Sequence, residues 1–432
     1  MPARGNSTGR ASTLRSPYGG AVSGLVGPVG TRPYWKPPNT VVSRFQSGHG
    51  WTHSSGNGSV ADDTSEYLFG TQSLKLTTDG AAAGLCSARK TGLTAIDMTT
   101  QNIRLWVRLS STTAVSQILV YASSAGFAGN VFASTGITPS GNYPQLRSGE
   151  WACLVFGKEQ FTTNGAGGAP AWNAIDSFQV SVSDNASASL TLHVGALDVV
   201  PRPAVSYCSF TFDDGFSGVY DEARPIMDAY GYTGTVFIIA DIIGNSGFMT
   251  MAQLKKLESV GWEVAAHSAT LAHHDQATGL LSSDIDGYRW NLLTQRQWLW
   301  ANGFRGTGIA FPRGANNAAM REETRKVYSY ARSVNQPAGS ESFPPADPYQ
   351  LRAHEIYRTT TTSAINTIVD TAVAGNRWAI LEFHNVNDSP SASNDFQYST
   401  ANFQTVVDHI ASTDMVVLPV CDVMAESVLP LV

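Results

Sequence analysis

Residues Ser209–Gly218 read SFTFDDGFSG. A short apolar run suited to a β-strand ends in two adjacent carboxylates, Asp213 and Asp214, followed by Gly215. Anions at the mouth of an apolar strand repel one another and are costly to desolvate. Neighbouring side chains on a regular strand also point to opposite faces. Both aspartates serve one site only if the strand breaks there, and Gly215 permits the break. A divalent cation would relieve the repulsion.

The chain beyond Pro203 alternates strand and helix patterns. YCSFTF is followed by a helix through EARPIMDAY that stops at Gly231, then by the strand TGTVFIIA. Thr250 caps MAQLKKLESV, which ends at Gly261, and WEVAAHS is the next strand. Ser283 or Asp284 opens IDGYRWNLLTQRQWLWAN, and GTGIAFP returns to strand. Such βα units imply parallel strands with helices outside. Residues 204–432 suit a (β/α) barrel, in which chemistry sits at the C-terminal ends of the strands. Those ends deliver Asp213 and Asp214, His267, FPRG at 311–314, and His384. One carboxylate with two imidazoles is a common zinc or late-transition-metal set. The second aspartate, left unligated, then accepts a proton from water.

TFDDG (211–215), HSATLAHHD (267–275), AFPRG (310–314) and LEFH (381–384) stand in the order of the polysaccharide deacetylase family, the NodB-homology carbohydrate esterases. Residues 205–425 resemble that family. The resemblance implies a distorted (β/α) barrel that removes N- or O-linked acetyl groups from a polysaccharide. It also implies one divalent metal ion, zinc first, with cobalt, nickel and manganese as alternatives. By the resemblance Asp213 is the base, Asp214 and His267 are metal ligands, and His384 protonates the leaving group. Two departures stand out. The family's second histidine falls four residues after the first, where this chain has Leu271, so His274 or His273 takes the role. Seven positions along a straight helix span about 10 Å, too far for two ligands of one ion, so the segment must loop. Ala310 occupies the place of the family's base-orienting arginine; Arg352 and Arg313 are the candidates to replace it. The backbone N–H of Arg313 falls where the family builds its oxyanion hole.

Residues 41–200 read as all-β. In NIRLWVRLS, Ile103, Leu105, Val107 and Leu109 alternate with Asn102, Arg104, Trp106 and Arg108, the period of a half-buried strand. SLKLTTD, QILVYAS, EWACLVF, SFQVSVS and SLTLHVGALDVV behave alike, between Gly, Ser, Asn and Asp clusters. Many short strands predict a β-sandwich, which loosely resembles jelly-roll carbohydrate-binding modules. Trp51, Trp151 and Trp172 are candidates to stack on sugars or to fill the core. The prolines of VVPRP (199–203) mark the joint.

The formal net charge of −6 and the lack of a basic run argue against a nucleic-acid partner. No apolar segment reaches the ~18 residues of a membrane span. Residues 1–40 are rich in Gly, Ser and Arg and lack the apolar core of a secretory signal. They read as a tail, or as a docking peptide for a larger assembly. Extracellular action on a glycan would then need leaderless export or delivery on a particle such as a phage tail. Cys86, Cys153, Cys208 and Cys421 match no zinc motif or disulfide framework. The expected function is metal-dependent deacetylation of an acetylated polysaccharide. The alternative is a non-catalytic glycan-binding protein whose deacetylase barrel is retired.

Overall fold

The computed structural model describes residues 40–426 except 82–83, 130, 140–142, 144–145, 165–169, 277–282 and 335–339. The proposed tail at 1–40 lies outside them but for Thr40. The described residues form two compact units that part between Pro203 and Ala204.

The first unit is antiparallel. Its strands are β1 (Thr40–Ser43), β2 (Thr52–Ser55), β3 (Ser59–Asp63), β4 (Ser73–Thr77), β5 (Leu85–Lys90), β6 (Gln101–Leu109), β7 (Val115–Ser123), β8 (Val131–Ser134), β9 (Trp151–Gly157), β10 (Phe161–Asn164), β11 (Ser177–Asp184) and β12 (Thr191–Pro201). One sheet runs β3-β4-β12-β6-β9 with β1 on β12; the other runs β10-β8-β7-β11-β5-β2. The period of two puts Ile103, Leu105, Val107, Val180 and Val182 in one core. Tryptophan is largely spent inside this unit. Trp51 is buried against Phe45, Trp172 stacks on Phe132 at 3.9 Å, and Trp151 lies over Gly195, where a Cβ would strike its ring. Cys86 and Cys153 are buried thiols outside any disulfide, as are Cys208 and Cys421 of the second unit.

The second unit is a parallel barrel. Its staves are β13 (Tyr207–Asp214), β14 (Thr235–Ile239), β15 (Glu263–Ser268), β16 (Gly308–Ala310), β17 (Tyr330–Ser333), β18 (Leu351–Arg352), β19 (His354–Glu355) and β20 (Trp378–Phe383). They follow the order β18-β17-β16-β15-β14-β13-β20-β19. The two outermost strands are separated in the chain by Ala353 alone. One five-residue stretch therefore pairs with β17 through Leu351–Arg352 and with β20 through His354–Glu355, and so nearly closes the barrel. The helices are α1 (Arg224–Asp228), α2 (Met251–Ser259), α3 (Leu271–Asp275), α4 (Ile285–Ala301), α5 (Ala318–Val327), α6 (Thr362–Gly375), α7 (Thr400–Ala411) and α8 (Val420–Glu426). Thr250 caps α2 by accepting from Gln253 N–H, and Asp284, rather than Ser283, caps α4. No helix among the described residues is long and apolar enough to cross a membrane.

Strand parity sorts the barrel into two cores. Phe210, Phe212, Val236, Ile238, Val264, Ala266, Leu381 and Phe383 belong to the apolar layer shared with the helices. Tyr207, Phe237, Ala265, Ala310, Tyr330, Trp378 and Ile380 belong to a separate inner cluster. Towards the N-terminal ends of the strands this interior holds a buried carboxylate, Glu263. Its oxygens accept from Thr307 at 2.6 Å, Tyr330 at 2.7 Å, and Thr235 and the N–H of Cys421 at 3.1 Å each. Glu263 thereby ties β14, β15, β17 and α8 together. Glu263→Ala would strand these donors, at about 1–3 kcal/mol for each one left unpaired. We expect the urea midpoint to fall by an amount equivalent to roughly 3 kcal/mol or more, and Glu263→Gln to lose less.

Candidate active site

The same parity aims the opposite end of the barrel. Asp213 continues the inward row of β13, His267 that of β15 above Glu263 and Ala265, Arg332 that of β17, and Glu382 and His384 that of β20. Asp214 has the other parity, yet it reaches the same site because the strand breaks at it: Asp214 sits at φ +68° and Gly215 at φ +90°. The left-handed turn thus begins one residue before the glycine expected to permit it. A Cβ at Gly215 would press on Ile243 and Ile238.

The two carboxylates have different neighbours. Asp213 is buried, and its Oδ2 accepts from the guanidinium of Arg332. Burial alone would raise its pKa, but Arg332, with His267 and His384, holds the carboxyl below its ordinary value. Its Oδ1 is buried with no hydrogen-bond partner among the described residues. Asp214 lacks a cation of its own. Burial, then the Asp213 charge, pushes it up to about 6. Its Oδ1 is likewise buried and unpartnered, 3.6 Å from His267 Nε2 and 3.5 Å from His274 Nε2.

His267 donates from Nδ1 to Ala310 O at 2.9 Å, which leaves the Nε2 lone pair facing the aspartates. Burial pushes its pKa down to about 3, so the ring is a neutral donor of electrons. His274 reaches the same point because the chain loops after β15. Thr270 caps the short helix α3, and the His267 and His274 rings stand 4.9 Å apart. His273 is turned elsewhere: its Nδ1 bonds Thr270 Oγ1 at 2.7 Å and its ring stacks on Trp290 at 4.9 Å. Asp214, His267 and His274 offer one anionic oxygen and two nitrogens, all within 4.8 Å of one another. Donor separations near 3.5 Å fit three ligands at ~2.0–2.2 Å from one small cation. The orphaned Asp214 oxygen fits that role too.

The arginine beside Asp213 is neither sequence candidate. Arg352 is buried in a two-pronged pair with Glu341. Its position pairs with Ser333, whose parity on β17 is opposite to that of Arg332. Arg313 extends toward solvent and meets Asp275 at 3.5 Å. The guanidinium comes from Arg332, which is the register partner of Ala310 on the next strand. The charge that Ala310 cannot supply is thus supplied one stave over. Arg332 also binds Glu382 and lies over the Phe237 ring at 5.2 Å. Arg332 lies outside the sequence motifs, and Glu382 lies inside LEFH with no role assigned to it there. Counting every second residue from Tyr330 in YARS would have found the former. Burial raises the Glu382 carboxyl well above its ordinary range even with Arg332 beside it.

His384 closes the cluster, with atoms of Asp213, Glu382 and His384 within 4.8 Å. Burial pushes its pKa down to about 4. Arg313 heads a tight turn at φ +55°, in which Gly314 and Ala315 N–H groups donate to Phe311 and Pro312.

Residues 202–329 match the family model described as Polysaccharide deacetylase. A curated relative, the putative polysaccharide deacetylase YxkH of Bacillus subtilis (strain 168), is 31% identical over 67 residues. That match covers 16% of this chain and 24% of the relative's length. Among solved structures, a family 4 acetyl xylan esterase from Clostridium thermocellum in complex with cobalt is 15% identical with a TM-score of 0.36. It covers 51% of this chain and 91% of its own. The family 11 carbohydrate-binding module of cellulase Lic26A-Cel5E of Clostridium thermocellum is 13% identical with a TM-score of 0.30. It covers 39% of this chain and 96% of its own.

The division between the two neighbouring histidines is measurable. If His274 is a ligand, zinc titration monitored by calorimetry should show His274→Ala losing more than the roughly tenfold that loss of an outer-shell partner costs, while His273→Ala stays near wild type. The reverse order would move the ligand to His273.

Proposed function

We propose that the barrel is a metal-dependent hydrolase that removes acetyl groups, linked through nitrogen or oxygen, from a polysaccharide. The observation that carries this reading is the asymmetry of the aspartate pair. Asp213 has its own guanidinium and a free oxygen, whereas Asp214 has two imidazoles and no cation. The family match over residues 202–329 supports the acetyl group as the target.

Asp214, His267 and His274 would hold the ion, zinc in the first place. Such an ion, when bound, polarises a carbonyl and makes nearby water more acidic. Asp213, kept ionised by Arg332, accepts the proton of the attacking water through Oδ1. Arg332 is itself pinned by Glu382, so the base is oriented from two sides. The Arg313 N–H donates to the oxyanion that forms as water adds to the carbonyl carbon. The bond from that carbon to the sugar nitrogen or oxygen then breaks, acetate leaves, and His384 protonates the departing atom. Burial holds His384 neutral at rest, so the proton it delivers is the one Asp213 takes from water, passed between two groups whose atoms lie within 4.8 Å, which also restores the Asp213 carboxylate. The retired-barrel alternative drew on a missing arginine and altered histidine spacing. Arg332 and His274 supply reasons to set it aside.

Chelation should abolish acetate release, and zinc or cobalt should restore it; full activity in metal-free protein would refute the mechanism. Asp213→Asn should keep bound metal yet lose about 10²–10⁴-fold in turnover, the usual span for a lost general base. Asp214→Asn should bind metal weakly and regain part of its rate in excess metal. Arg332→Met should keep metal and lower turnover, whereas Arg352→Met should cost stability through Glu341 and leave the turnover of the folded fraction near wild type.

A further inference from the structure

Phe396 is 45% exposed, yet its ring centroid lies 4.5 Å from that of His384. The ring is held in place. The Phe396 backbone N–H donates to Asn394 Oδ1 at 3.0 Å, and the Phe396 backbone carbonyl accepts from Asn385 N–H at 3.1 Å. Tyr357 stands on another side at 6.0 Å, with its hydroxyl on Glu355, and the adjacent Asp395 pairs with Arg358 at 3.2 Å. The segment leading to it, NDSPSASND (387–395), is polar, with Asp388, Ser389, Ser391, Ser393 and Asp395 exposed. A fixed, half-wet aromatic face beside a hydroxyl-rich and carboxylate-bearing loop suits a ligand with one apolar face and a polar edge. A sugar ring is such a ligand: C–H groups on its faces, hydroxyls around its rim.

Position supplies the second argument, which rests on the deacetylase reading above. The atom that His384 protonates lies within about 3 Å of its ring nitrogen. The sugar carbon comes one bond, about 1.5 Å, further on. The sugar therefore begins close to His384, and the Phe396 ring, 4.5 Å from that of His384, lies within contact range of it. We infer that Phe396 forms the floor of a subsite for the pyranose ring that carries the acetyl group, with the 387–395 loop along its hydroxyl edge.

The test uses the full chain with three substrates: acetylated xylo-oligosaccharides, chitopentaose and 4-nitrophenyl acetate, which has no sugar. Phe396→Ala should lower kcat/KM for whichever oligosaccharide is cleaved by about five- to tenfold, the scale of one aromatic contact, chiefly through KM. It should leave 4-nitrophenyl acetate within about twofold of wild type. Trp300→Ala, an exposed tryptophan at the far end of α4, should change neither. Equal losses on sugar and ester would show that Phe396 serves only to place His384, and no loss on either would also overturn the subsite. Should Phe396→Ala fail to fold, Phe396→Trp and Phe396→Leu decide: the first keeps and the second loses oligosaccharide turnover, and the opposite order refutes the inference. A second readout separates this inference from the reaction itself. In metal-free protein, chitopentaose or the xylo-oligosaccharides should slow hydrogen exchange in residues 385–399, and Phe396→Ala should remove that protection. Protection in a chain that releases no acetate keeps the subsite and removes the hydrolase reading. Ester hydrolysis without any protection does the converse.

Discussion

Two carboxylates on consecutive residues cannot both stay ionised inside a protein unless each has its own positive partner. This barrel meets that constraint by separating the partners. A guanidinium is built permanently against Asp213, and two imidazoles, those of His267 and His274, are left around Asp214. The inequality turns two chemically identical side chains into one group held ionised by its guanidinium and one whose pKa is raised, the position assigned above to the proposed cation. The backbone enforces the separation. A regular strand would have sent the two side chains to opposite sides, one into the interior and one under the helices. The left-handed turn at Asp214 brings the second carboxylate back to the mouth while leaving the first in the inner row.

Arg332 shows how such a constraint can be met from more than one place in a barrel. What Asp213 needs is a cation at its own height in the interior, and any inward residue on a nearby stave at that level can provide it. Ala310 and Arg332 are neighbours in register, so moving the charge from one to the other changes the strand of origin while keeping the height. Position 310 keeps a role through its backbone, since the Ala310 carbonyl accepts from Nδ1 of His267 and fixes the ring. An arginine at 332 brings Glu382 into play: a buried guanidinium over Phe237 with Asp213 on one side has further donors to satisfy, and Glu382 takes one of them at Nη1 while Nε has no partner among the described residues.

Much of this was legible in the sequence, and the gaps have physical causes. The staves β13, β14, β15 and β20 are continuous apolar runs bounded by turn residues, and the motif histidines and aspartates close them visibly. The stretch at 351–355, LRAHE, was not legible as a barrel closure. Two short pairings on opposite sides of Ala353, in a polar pentapeptide, have no periodicity to detect. Arg352 is a sequence candidate to replace the arginine absent at 310, but its register beside Ser333 turns it away from the site, a fact that depends on pairing. The choice between His273 and His274 also required the path of the chain. Adjacent residues on one short helix face different directions, and the loop after Ser268 decides which ring meets His267.

Glu263 and the Asp213–Arg332–Glu382 group occupy opposite ends of one inward-facing register, with the apolar layer of Phe237, Ala265, Ala310 and Ile380 between them. The lower carboxylate is satisfied by hydroxyl and backbone donors that belong to the scaffold, so its role ends with holding the staves. The upper group is left with unpaired oxygens on both aspartates. The same chemical type at two heights thus separates into stability below and reactivity above. The deciding variable is how many of the carboxylate's hydrogen-bonding positions the fold itself fills. An unfilled position in a buried carboxylate is a cost to folding, and among the described residues that cost falls on Asp213 and Asp214 at the mouth, where a substrate proton or a cation can fill it.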